Sequence, residues 1–154
     1  MADNLVNNPD PKNTYGCKFS IQYCTAASIR YGKVGVDEFG PEKIDDAELR
    51  RLMANTEVVV DAALDADFRK NAERWSVYLT LTDKAGREYR HFVEYPLGDP
   101  QNPVSYAETE EKVRTLAGTV LPERQLAELL QIIGTLESLQ DASGVFDFLV
   151  AKDK

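Results

Sequence analysis

Besides its carboxylates, this chain of 154 has three side chains well suited to proton transfer or metal binding: one histidine, His91, and two cysteines, Cys17 and Cys24. An imidazole titrates near neutral pH, so acid–base work at His91 needs a carboxylate beside it, such as Glu94 or Asp83. The opposing reading is a strand histidine at the surface. A nucleophilic serine on a G-x-S-x-G elbow, a P-loop and a G-x-G-x-x-G turn are all absent from the sequence. Gly32, Gly35 and Gly40 are too scattered to cradle a phosphate and read as turn residues. Cys17 and Cys24 stand seven apart; on one helix they would share a face about 10.5 Å apart along the axis. That exceeds the reach of a disulfide, about 7 Å between Cα atoms. With no further His or Cys ligands nearby, two small buried thiols are expected and no metal site. Glu108, Glu110 and Glu111 fall in the first turns of a helix, where acids complement the helix dipole, and read as a solvated face.

Composition narrows the classes further. Apolar residues make up 43% and charged residues 29% of the chain, as in ordinary globular proteins. The 18 basic and 26 acidic residues give a net charge of -8, and no Lys/Arg cluster suited to a phosphate backbone occurs, so nucleic acid is not an expected partner. No apolar run approaches the roughly 20 residues that span a bilayer, and the polar start has no signal pattern. The expectation is a cytoplasmic protein without a membrane partner.

Residues 1–16, with two prolines and four asparagines, read as an irregular lead-in. Lys18–Tyr31 has helical spacing and stops at Gly32, with small residues Cys24–Ser28 inviting close packing. Asp45 or Asp46 caps a helix to about Asn55 with Leu49, Leu52 and Met53 inward. The β-branched run in Thr56–Leu64 predicts a strand, followed by a polar stretch, Asp65–Arg74. Trp75–Thr82 alternates apolar and polar, turns at Asp83–Gly86 and returns over Arg87–Tyr95, which predicts a hairpin with one face buried. Ser105 and Glu108 form a capping box for the next helix, whose apolar stripe runs from Tyr106 to Val120. Pro122 opens another, with a strong amphipathic pattern over Leu126–Leu139. That stripe suits either this domain's own core or docking against another helical chain. An apolar tail, Val145–Val150, ends the sequence. The fold class expected is α+β: a small antiparallel sheet with a hairpin, flanked by N-terminal helices and a C-terminal helical pair. The parts are a lead-in (1–16), an α+β part (17–104) and C-terminal helices (105–154).

The block Lys18-Phe19-Ser20-Ile21-Gln22-Tyr23, reached through an Asn-Pro segment, resembles the K-F-S-hydrophobic-Q-Y block of the MmgE/PrpD family. Cys17 replaces a residue that is usually small there. Gly32, Phe39, Leu52, Lys84-Ala85-Gly86, the Gly98–Ser105 element, Lys112 and Val113 match in the same order. The resemblance covers about residues 8 to 150. It implies cofactor-free acid–base chemistry on small polycarboxylates, of the 2-methylcitrate dehydratase or cis-aconitate decarboxylase kind. It also implies a large helical domain joined to a smaller α+β domain, as a homodimer. The family's N-terminal helical region and the histidine-bearing segment before the K-F-S block have no counterpart in this sequence. By this resemblance the chain is a C-terminal part, inactive without a helical partner chain. Lys18, Ser20, Gln22 and Tyr23 are then the candidates for facing a substrate cleft, with Tyr23 donating to a carboxylate; the alternative for all four is capping and packing. The competing functional reading is a non-enzymatic binding or scaffold domain that self-associates.

Overall fold

Asn13, Ser20, Asp46 and Asp61 each turn a side-chain oxygen onto an N–H of the following turn, and each starts a helix. Such caps satisfy donors that the first helical turn leaves without partners. In the computed structural model, which describes residues 6–148, they open α1 (Thr14–Lys18), α2 (Ile21–Tyr31), α4 (Ala47–Ala54) and α5 (Ala62–Lys70), with α3 (Pro41–Ile44) between the second and third. Strands β1 (Val77–Thr82) and β2 (Glu88–Val93) follow, then α6 (Tyr106–Ala117) and α7 (Glu123–Ile133). The class is α+β. Two compact units divide between Tyr95 and Pro96.

The core of the first unit is helical. Cys17, Tyr23, Ala26, Ala27, Ile44, Leu49 and Met53 form one buried cluster, and Tyr31, Phe39 and Leu52 pack against it. Ala26 and Ala27 present only methyl groups, which lets α2 and α4 lie close together. Gly32 ends α2 at φ 73°, a left-handed turn that a side chain would strain. The lead-in is fastened to this core. Pro11 is fully buried, and the Arg50 guanidinium donates to the carbonyls of Ile44 (2.6 Å) and Pro11 (2.9 Å) and to Asp10 (3.1 Å).

In the second unit Leu121, Leu126, Leu129 and Leu130 are buried, with Val113, Ala117, Val145 and Phe148 against them. The expected capping box is present: Ser105 Oγ accepts from the Glu108 N–H (3.2 Å) while the Glu108 carboxylate accepts from the Ser105 N–H (2.8 Å).

Four local expectations change. Lys18–Tyr31 is not one helix, because Ser20 adopts an extended conformation and caps α2, so Cys17 and Cys24 belong to different helices. The predicted strand Thr56–Leu64 does not form. Asp61 Oδ1 accepts from the N–H groups of Ala63 and Leu64, and the Ala- and Leu-containing run behind it takes the helix, which extends into the polar stretch after it. The expected hairpin forms, with Val77 opposite Val93 through Thr82 opposite Glu88, and Gly86 at φ 78° makes its turn. Its expected buried face is exposed, because alternation marks a face but only a second layer buries it. Finally, α7 stops at Gly134, and the apolar pattern continues in a 3₁₀ turn, Leu136–Ser138. Of the apolar tail, Val145–Phe148 lies in a further 3₁₀ turn, and residues 149 and 150 lie outside the described residues.

Candidate functional site

The Lys18–Tyr23 block is the junction between α1 and α2, and its geometry follows from Ser20. The Ser20 hydroxyl donates to the Asn8 carbonyl (2.6 Å) and accepts from the Tyr23 N–H (3.0 Å), so one buried side chain joins the lead-in to the first turn of α2. Gln22 sits beside it, with Nε2 donating to Asn7 Oδ1. Its Oε1 is buried and meets no donor among the described residues, a costly state for an amide oxygen. Tyr23 points into the core. Its hydroxyl donates to the Glu38 carbonyl (2.7 Å) and its ring stacks on Phe39 at 5.7 Å between centroids. Burial pushes its phenol up to about 12, so it is a neutral donor at physiological pH.

Lys18 differs from the other three. Its side chain is exposed, and its ammonium lies 5.8 Å from the centre of the Phe39 ring. The structure therefore brings Ser20, Gln22 and Tyr23 together inside the first unit and leaves Lys18 as the accessible cation of the four. His91 is elsewhere: it is exposed on β2, opposite Leu79. Cys17 is buried and Cys24 half-buried, the Cys24 thiol 3.7 Å from the Cys17 carbonyl. Burial raises both thiols above their usual range, which lowers their nucleophilicity at neutral pH. Among the described residues no group of three or more His, Cys, Asp or Glu is placed to hold a metal ion, and no helix is long and apolar enough to cross a membrane.

Beside this junction runs an open groove of about 1450 Å³. One wall is the outer face of α2, with Ile21, Thr25 and Ile29; the others are the segment after α4 and the whole of β1. Trp75 and Phe68 meet edge to face at 5.1 Å within it. Arg74, also on the groove, is held by Asp67 (3.1 Å), Glu94 (3.2 Å) and the Tyr95 hydroxyl (3.3 Å), and its bonds to Tyr95 and Asp67 raise its already high pKa. Neither this groove nor the Arg50 tether was foreseen from sequence. The arginine's tie to the Pro11 carbonyl 39 residues away leaves no periodic trace; the groove's apolar walls were visible only as a strand and a hairpin.

Comparison with known proteins matches the MmgE/PrpD C-terminal domain to residues 1–138. Cis-aconitate decarboxylase of Mus musculus is 23% identical over 138 residues, covering 90% of this chain and 28% of the relative. A cis-aconitate decarboxylase-like protein, oryM, of Aspergillus oryzae (strain ATCC 42149 / RIB 40) is 27% identical over 134 residues, covering 86% of this chain and 27% of that relative. The chain thus spans little more than a quarter of the length of these relatives.

Proposed function

The chain belongs to the MmgE/PrpD family, and from that premise we propose that it supplies one wall of a cofactor-independent lyase site for small polycarboxylates, completed by a helical partner. The observation that carries this reading is the match of residues 1–138 to the family's C-terminal domain, the relatives named above being about three times as long as this chain. A di- or tricarboxylate needs positioned cations and donors in a closed cleft. The Lys18–Tyr23 junction offers few. Lys18 is the exposed cation and pairs with a substrate carboxylate; Ser20 and Gln22 hold the junction's shape. Tyr23 reaches substrate only by giving up its bond to the Glu38 carbonyl, so its donation accompanies a rearrangement of the 33–40 connector. The proton-transfer groups come from the partner.

The test is reconstitution. This chain and a candidate helical partner are purified separately, mixed at micromolar concentrations and assayed for complex formation and for turnover of cis-aconitate and 2-methylcitrate. Neither component turns over substrate alone, the complex does, and Lys18→Ala lowers kcat/KM by roughly tenfold or more, the loss expected when one charge-assisted contact is removed. Turnover by this chain alone defeats the reading, as does the absence of any complex.

A second reading is a non-enzymatic scaffold domain that self-associates. It is favoured by the exposed apolar side chains Trp75, Val77, Tyr78 and Leu79 along one stretch. It predicts a monodisperse homo-oligomer in sedimentation and no turnover with any partner.

A further inference from the structure

We propose that the segment Glu57–Val60 is a strap that closes onto the free edge of β1 and makes the hairpin a three-stranded sheet. The proposal is independent of the lyase reading. Its ground is a pair of unmet backbone edges that line one groove.

The first edge is β1. The sheet has two strands, so each keeps one side of its backbone N–H and C=O groups without a ladder. The two strands are not equally guarded. The outer strand β2 carries Glu88, Arg90 and His91, charged or titratable side chains of the kind that blunt an edge. In β1 the sequence Val-Tyr-Leu-Thr-Leu-Thr contains no charge, no proline and no glycine. An uncharged edge of six residues is a template for another strand, and a lone two-stranded hairpin is marginal in water.

The second edge is Glu57-Val58-Val59-Val60. These residues belong to no helix or strand, and among the described residues none of their backbone groups takes part in a hydrogen bond. Val59 and Val60 are 74% and 59% exposed. Three consecutive valines are poor helix formers and good strand formers, because branching at Cβ restricts χ1 in a helix and suits a pleated surface. Helix α5 begins only after Asp61 caps it, so the helix does not compete for these residues. The segment therefore has strand chemistry, unpaired amides and a place on the same groove as a strand with an unpaired edge.

The connection allows the closure. Sixteen residues, Asp61 to Ser76, separate the two edges, more than the dozen or so that even a parallel crossover needs. Closing pairs Val58 and Val60 amides with β1, covers the unguarded edge and narrows the groove beside the outer face of α2. The expected strand missing from the fold is then a strand waiting for its ladder.

Hydrogen exchange read by NMR on the unmodified chain tests this. Closure gives the Val58 and Val60 amides protection on the order of 100-fold over the unstructured rate, protects both alternating sets of β1 amides, and produces Hα or amide NOEs between residues 57–60 and 77–82. The double substitution Val58→Pro, Val60→Pro removes both ladder N–H groups of the strap, strips protection from the outward β1 amides, and leaves the β1–β2 ladder protected. Unstructured exchange rates at Val58 and Val60, alongside a protected β1–β2 ladder, overturn the proposal. So does outward β1 protection that rises with protein concentration while Val58 and Val60 stay unprotected, for then a second copy covers the edge. The NOEs in the unmodified chain decide the matter should the double proline variant fail to fold.

Discussion

Leu49 in α4 and Leu79 in β1 both occupy positions that the period of their element marks as inward, yet Leu49 is fully buried and Leu79 is 47% exposed. The difference lies in what stands opposite. α4 meets α2, whose Ala26 and Ala27 bring the two helices within packing distance, and Tyr23 and Met53 fill the space between. The hairpin has cross-strand neighbours only: Leu79 faces His91, and Tyr78 stacks with Phe92 at 4.6 Å. Periodicity therefore specifies a face, and burial requires a second layer. The helical layer of the first unit owns its core; the hairpin carries the pattern of a buried sheet without its cover.

Cutting into the helical core gives the largest effect expected. Leu49→Ala removes most of a fully buried side chain from a cluster with little freedom to collapse, and destabilises the chain by about 2–5 kcal/mol in urea denaturation followed by circular dichroism. A loss under about 1 kcal/mol would show that this cluster is not what holds the unit together.

How much of this was legible in sequence divides along the same line. Caps and turns were readable because they are local: Asp46 before α4, the Ser105–Glu108 box and the Gly86 turn each need only a few residues in a row. The family was readable from an ordered set of short matches. Tertiary decisions were not. Whether Val58–Val60 pairs depends on which edge lies nearby, and whether Ser20 interrupts a helix depends on the Asn8 carbonyl 12 residues earlier. Lys18, Ser20, Gln22 and Tyr23 were picked out as one block, but their unequal burial comes from Glu38, Phe39 and the lead-in, none of which helical spacing can position.

A smaller effect sharpens the core side of the comparison at Tyr23. Replacing it by Phe keeps the ring stacked on Phe39 and leaves the buried Glu38 carbonyl without its donor, which costs about 1–3 kcal/mol. The pH dependence has a definite sign. Folding raises this phenol to about 12 from an unfolded value near 10, so the neutral form is the one the fold favours. That contribution is intact below pH about 10 and is lost as pH rises toward about 12. Among the seven tyrosines, Tyr31 is also raised, by burial and by Asp46, so in phenolate absorbance Tyr23→Phe removes the Tyr23 share of the late signal and leaves that of Tyr31. A full phenolate signal complete near pH 10 would place Tyr23 outside the core.

The smallest effect is the most informative about the hairpin. Leu79→Ala at a half-exposed site should change stability by no more than about 0.5 kcal/mol, as substitutions outside packed regions do. Closure of the Glu57–Val60 strap leaves this expectation standing, because a ladder bond covers the edge of β1 and not the face on which Leu79 lies. A covering layer acts differently: a helical partner or second copy packed on that face turns Leu79 into a core residue, and the same substitution then costs about 2 kcal/mol or more. Measuring Leu79→Ala in the isolated chain and again with a candidate partner thus separates an edge that closes on itself from a face that needs another surface. A large loss in the isolated chain, independent of protein concentration, would mean that the hairpin already packs on a layer of its own, and the contrast between the two regions would fail.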